Sequence, residues 1–363
     1  YLTYLILGII KYSKIKSLAE STNNWNETLA ARFAALLFAM HPQHVESVAW
    51  VSVRKDLLCA FFYFSAVIAY LHQHYATKGS FWNNLALLSF TLALMSKSMA
   101  ITLPIALSIL DIYPLQKIAD EKPLSERIKH IAEGKLLYFF LAGCVLVITF
   151  ISQTSNITDA QEYTIAARLA NSATNYFYYI YSMVFPDTLS PYHPLPNNIN
   201  DIGWINWISV VLFIAIFTGS YIAYRKNYKF PLILLTSYLI LLLPAIGLLH
   251  LGHAVRADRY SYIPTTVFYM LIGFTVVNVS TRLIRHRWHT IMFVFTVLAF
   301  AIVLSLTTYQ HSKAWMNDKT VWQKVIYKHP DSAATAYVNL GNALFEEQQF
   351  NAAIRYYSES MRI

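Results

Sequence analysis

The segment HPQHVESVAWVSVRKD, residues 41–56, packs two histidines, a glutamate, an arginine, a lysine and an aspartate between two of the most apolar stretches of the chain. His41, His44 and Glu46 form a feasible ligand set for a divalent metal such as zinc or manganese, which imidazole nitrogens and a carboxylate suit. Their spacing is not a diagnostic one, and Pro42 interrupts the helix that would align them. Hydrogen bonding in a polar, water-filled cavity and capping of the preceding apolar helix are the other roles open to them. Arg54, Lys55 and Asp56 follow, Lys97 stands alone, and Arg256, Asp258, Arg259 and Tyr260 form a third group. Arginine grips phosphate through two parallel charge-assisted hydrogen bonds, whereas lysine acts as a point charge. Each group sits beside the end of an apolar run, where ionisable residues are expensive and mark function. Snorkelling to lipid phosphates, or pairing of Arg54 with Asp56 and of Arg256 with Asp258, is the plainer reading. The sharper one is a basic pocket for an anionic headgroup, such as a lipid-linked phosphate, at the outer leaflet.

The elements that must position these groups are membrane helices. Of the 363 residues, 56% are hydrophobic and only 13% charged, against about 25% charged in soluble domains. Apolar runs recur along the chain, and a spanning helix needs about 20 such residues. The predicted spans are 1–10, 28–40, 57–75, 82–95, 98–112, 136–152, 204–224, 230–249, 262–279 and 288–308. Basic residues orient them. Lys11, Lys14 and Lys16, then Lys78, the stretch 113–135, Arg225 with Lys226 and Lys229, and Arg282 with Arg285 and Arg287 mark the cytoplasmic loops. The loops 41–56, 96–98, 153–203 and 250–261 then face outward with everything after 309, so the three charged groups break the positive-inside pattern together. Counting 167–186 as a span would reverse a basic loop, so it is predicted to be an aromatic-rich interfacial or re-entrant helix on the outer face.

A net charge of +9 is spread over short loops rather than gathered in one patch, which argues against a nucleic-acid partner. Cys59 and Cys144 lie within apolar runs and form no disulfide framework. Dinucleotide, Walker and nucleophile-elbow glycine motifs are missing from the sequence, which removes support for a nucleotide-driven pump or a serine hydrolase.

From about residue 312 the composition turns polar, dividing the chain into a membrane domain, 1–311, and a carboxy-terminal region, 312–363. The latter fits the tetratricopeptide pattern. Tyr337 stands at the tryptophan position, Leu340, Gly341 and Leu344 follow, and Ala353 and Tyr357 take the small and aromatic positions of the second helix. One repeat cannot bury its own face, so the segment around Trp322 is expected to supply a preceding helix and further repeats to follow. The fold class is therefore all-α, a polytopic transmembrane bundle followed by the start of an α-solenoid that would recruit a protein or peptide partner.

The blocks HPQHVESVAWVSVRKDLLCAFF, ALMSKSMAITLPIALSILDIYPL, SPYHPLP and LPAIGLLHLGHAVRADRYSYIP, followed by the repeat, resemble the transmembrane-and-tetratricopeptide-repeat family of O-mannosyltransferases and their bacterial relatives. That resemblance implies a type-C glycosyltransferase fold taking a sugar from a polyprenyl or dolichyl phosphate outside the cytoplasm. It assigns Arg54 to the lipid phosphate, with help from Lys97 and Arg259, and places Arg256, Asp258, Arg259 and Tyr260 at the donor. Lys55, Asp56, His41, His44 and Glu46 are site-lining residues without an assigned step. The catalytic acidic pair of such enzymes is expected upstream of Tyr1, the chain reading as a fragment cut at both ends. A divalent metal is a possible cofactor, and a bacterial inner membrane with the repeats in the periplasm is the expected location. A membrane-anchored scaffold without catalysis, and a transporter of lipid-linked sugar, are the competing readings.

Overall fold

The computed structural model describes residues 25–73, 79–115, 134–152, 164–194, 202–248, 254–283 and 287–363, with residues 6, 126, 129 and 132. The predicted span 1–10, apart from Ile6, lies outside them, as do Lys11, Lys14 and Lys16. The fold is all-α. Helix α1 runs Trp25–Met40, the short α2 Val45–Ala49, α3 Arg54–His72, α4 Gly79–Ser96, α5 Leu103–Ile112, α6 Leu136–Ser152 and α7 Ile165–Val184. Then come α8 Trp204–Arg225, α9 Phe230–Leu242, α10 Thr266–Leu283 and α11 Arg287–Lys313. Helices α12 Asp318–Lys328, α13 Ala334–Glu346 and α14 Phe350–Arg362 complete the chain.

Small residues let the helices approach. Cys59, Ala60, Ala66 and Ala69 of α3 and Ala86 and Ala93 of α4 are almost wholly buried where the two helices pair, the close approach that drives association inside lipid. At the α1–α10 crossing, a Cβ on Gly273 would come within 2.5 Å of the Ala30 carbonyl oxygen and 2.9 Å of the Ala34 Cβ. The apolar residues of α8 and α11 instead face outward: these are the two described helices long and apolar enough to cross a membrane, and only 11% and 6% of their most apolar windows are buried. In water such a surface would aggregate, and in lipid it is the normal exterior.

Two predicted spans differ from the helices found. Over 98–112, residues Ser98–Thr102 wind as a 3-10 helix and α5 has only 10 residues, about 15 Å of rise against a hydrocarbon core of about 30 Å. Over 230–249, α9 stops at Leu242 because Pro244 cannot continue it, and Gly247 turns the chain at φ +98. Helix α7 has the 20 residues of a crossing helix but is not among those apolar enough to qualify. Its buried face, Ala167, Ala170, Ala173, Tyr176 and Tyr179, packs Tyr176 and Tyr179 on Tyr238 and Leu242 of α9.

An unpredicted antiparallel ribbon joins β1, His193–Pro194, to β2, Ala254–Arg256, setting His193 opposite Arg256. The prolines of SPYHPLP keep that stretch out of a helix. In the carboxy-terminal region α13 and α14 form a hairpin. A Cβ on Gly341 would meet the Tyr357 ring, and Leu340, Leu344 and Ala353 bury against Trp322 and Ile326 of α12.

Candidate functional site

Segment 41–56 is folded back onto the bundle rather than looped out. His41 caps the 3-10 turn Pro42–His44, its Nδ1 accepting from the Gln43 amide at 3.2 Å. That fixes the tautomer: Nε2 carries the proton and donates to the Met183 carbonyl of α7 at 2.8 Å. Gln43 donates to the Tyr179 carbonyl and the Ser182 hydroxyl, both at 2.9 Å. His44 is enclosed by the rings of Phe38, Tyr262 and Tyr269, and neither of its nitrogens has a partner. Burial holds both imidazoles below their usual range, His41 to about 4 and His44 to about 3.

Glu46 projects from α2 to the 3-10 turn Asp258–Ser261, where its carboxylate accepts from the Arg259 amide at 2.8 Å and pairs with the Arg259 guanidinium. Burial pushes this carboxyl up, to about 7, with Arg259 pulling against it. Beside it Lys97, at the α4–α5 turn, donates to Asp56 at 2.6 Å. Burial lowers the Lys97 ammonium, and Asp56 opposes that shift. The Tyr260 ring joins the pairs, with Lys97 5.2 Å and Arg259 4.9 Å from its centroid, and Arg259 also lies 5.3 Å from the Trp50 ring. The pairings are thus long-range, Asp56 with Lys97 and Glu46 with Arg259, instead of the neighbour pairs Arg54–Asp56 and Arg256–Asp258 that the sequence offers.

Asp258 has a different task. Its carboxylate accepts from the Ser190 amide at 2.9 Å and the Tyr178 hydroxyl at 3.0 Å, and lies 3.1 Å from His193 Nε2. It ties α7, the loop after it and the β-ribbon into one corner, and leaves Arg256 to lie over the Tyr178 ring, 4.4 Å from its centroid. Lys328 of α12 donates to the Asp187 carbonyl, and to that of Leu189 at 2.6 Å, bringing the carboxy-terminal region onto the same corner.

Between this corner and α12 is a cavity of about 640 Å³, lined in part by Trp50, Arg256, Arg259, Tyr260, Trp315 and Trp322. Three sequence-predicted groups therefore meet: Glu46, Asp56, Lys97, Arg259 and Tyr260 form the ion-pair cluster, and Arg256 stands on the cavity wall. Arg54 and Lys55 remain exposed on the first turn of α3, two and three residues past Ser52, which lines the cavity. Among the described residues no three His, Cys, Asp or Glu side chains gather as a metal set. The Glu46 carboxylate is engaged by Arg259. Sequence reasoning missed Trp50, Tyr178 and Trp315 as site residues and left His193 without a role, although SPYHPLP stands out as a polar, proline-rich block in the sequence.

No family model matches the chain, and no solved structure does. Over 90% of its length it is 26% identical to human protein O-mannosyl-transferase TMTC4 and 24% identical to the mouse protein of that name. Over 91% it is 22% identical to human protein O-mannosyl-transferase TMTC3. The alignments take in 48% of the TMTC4 proteins and 39% of TMTC3, so the chain spans less than half the length of these curated relatives. The chain is thus similar, at low identity, to proteins named protein O-mannosyl-transferase, in line with the resemblance its sequence blocks carry.

Proposed function

We propose that this chain belongs to a membrane glycosyltransferase that moves a mannose-like sugar from a polyprenyl or dolichyl phosphate to a hydroxyl of a protein acceptor on the non-cytoplasmic face. The observation that carries the reading is the convergence of the misplaced charges: Glu46 with Arg259 and Asp56 with Lys97 meet at Tyr260 beside a cavity. In such a transfer the acceptor oxygen bonds to the anomeric carbon as the lipid phosphate leaves with the bonding electron pair. Cations fixed at the departing phosphate are worth most in the transition state. Arg54, Lys97 and Arg259 are the set proposed for that task, with Arg256 at the donor. Glu46 and Asp56 keep Arg259 and Lys97 in place at a depth where burial works against their charge. The acceptor's proton passes to a carboxylate general base, and the helical hairpin α13–α14, read as a tetratricopeptide repeat, is assigned to acceptor recruitment.

The test uses the full-length protein with polyprenyl-phosphate mannose and a polypeptide acceptor. Arg259→Ala should lower kcat about a hundredfold, with Arg54→Ala assayed beside it. Transfer unchanged in both variants would remove the phosphate-stabilising role. No transfer by the wild type with any lipid-linked sugar would favour a scaffold.

A further inference from the structure

The cavity beside the ion-pair cluster is built from two parts of the chain that the sequence separates. Trp50, Arg256, Arg259 and Tyr260 come from the membrane domain, while Trp315, Asp318 and Trp322 come from the start of the carboxy-terminal region. We infer that this cavity seats a glycosyl phosphate, and that Trp315 and Asp318, outside the membrane domain, are part of its binding surface. The inference rests on the glycosyl-transfer reading above and alters one feature of it. The carboxy-terminal region becomes a wall of the donor site as well as a platform for the acceptor.

Volume and lining chemistry support this assignment. At about 640 Å³ the cavity falls within the roughly 300–1,000 Å³ of small-ligand sites. Its walls are rich in aromatic faces: Trp50 and Trp315 stack with centroids 5.3 Å apart and planes 28° apart, and Tyr192 meets Trp322 edge-on at 6.1 Å. The C–H face of a pyranose carries slight positive charge and complements the negative face of an indole. Asp318, exposed at the first position of α12, offers a carboxylate to sugar hydroxyls. The phosphate has two guanidiniums to meet. Arg259 is held by Glu46, whereas Arg256 lies over Tyr178 with its Nε buried and without a hydrogen-bond partner. That Nε is closed to the cavity, so Arg256 meets an anion through its terminal nitrogens.

The experiment titrates full-length protein in nanodiscs with mannose 1-phosphate, inorganic phosphate and free mannose, read by tryptophan fluorescence. Mannose 1-phosphate should quench emission, and Trp315→Phe should reduce the quench. Asp318→Asn should weaken mannose 1-phosphate by about tenfold and inorganic phosphate by less than about twofold, and Arg256→Gln should weaken both by about tenfold. Unchanged affinity in both variants at an unchanged unfolding midpoint would overturn the inference. So would an Asp318→Asn enzyme altered only in its KM for the acceptor, which would give the cavity to the polypeptide. Binding that follows these expectations in a protein that transfers nothing would uphold the cavity assignment and overturn the glycosyl-transfer reading alone.

Discussion

The residues of the site are held by partners far away in sequence, and their substitutions should show it. Glu46 is buried and Arg259 mostly so, so removing one member leaves the other charge uncompensated, worth about 3 kcal/mol. Arg259→Ala is therefore expected to lower the unfolding midpoint in detergent, and Glu46→Gln added to it should recover part of the loss. Arg54→Ala, at an exposed position on the first turn of α3, should change stability by less than about 0.5 kcal/mol. His41 and His44 give a pH dependence with a definite sign. Their folded-state values, about 4 and about 3, lie below the ordinary 6.5, so the unfolded chain takes up protons first as pH falls. Their contribution is complete at neutral pH and declines on acidification below about 6.5. Glu46, raised to about 7, contributes in the opposite sense over the same range, so the measurement compares wild type with His44→Phe. An equal change in midpoint from pH 7.5 to 5 in both would contradict this. The residue types at 41–56 were legible as a functional cluster. Their pairing was not, because each charge has a plausible neighbour in sequence and the preferred partner lies 41 residues away for Asp56 and 213 for Glu46.

At the scale of elements, apolar length and small residues do most of the work. Gly273 sits where α1 and α10 cross against backbone, so Gly273→Val should force them apart and cost about 1–3 kcal/mol, measured as a lower detergent midpoint. Gly341→Ala drives a methyl into the Tyr357 ring and should loosen the α13–α14 hairpin by a similar amount, seen as faster proteolysis within 334–362. The helices over 136–152 and 204–224 were readable almost to the residue from hydropathy, since nothing interrupts them. Helix α5 was misjudged because hydropathy measures apolar character and is blind to the tighter 3-10 winding that consumes the first five residues of that run.

At the scale of the whole molecule, the outward-facing apolar surfaces of α8 and α11 place the bundle in a membrane. Helix α11 carries the chain from it to α12. Its 27 residues rise about 40 Å, more than a hydrocarbon core requires, and Thr308 near its end donates to the Met40 carbonyl at 2.6 Å. The outer-face reading of segment 41–56 and the carboxy-terminal region yields a direct prediction. In a Cys144→Ser background, Lys55→Cys and Asp331→Cys should react with a membrane-impermeant maleimide from the same side, and Lys226→Cys from the opposite side. Labelling of Lys55→Cys and Lys226→Cys from one side would break the topology.

By itself the sequence determined the class of this protein: too many apolar residues for water, too few charges for a soluble surface, and a carboxy-terminal helical repeat pattern of small and aromatic positions. Those properties are set by composition and by spacing along a helix, which need no knowledge of distant contacts. Only the tertiary structure decided which charges meet. The Glu46–Arg259 and Asp56–Lys97 pairs, the corner that Asp258 ties together and the cavity roofed by α12 depend on how helices far apart in the chain are packed. An ion pair at that depth is selected by the partner that packing brings within reach, and sequence proximity does not report it.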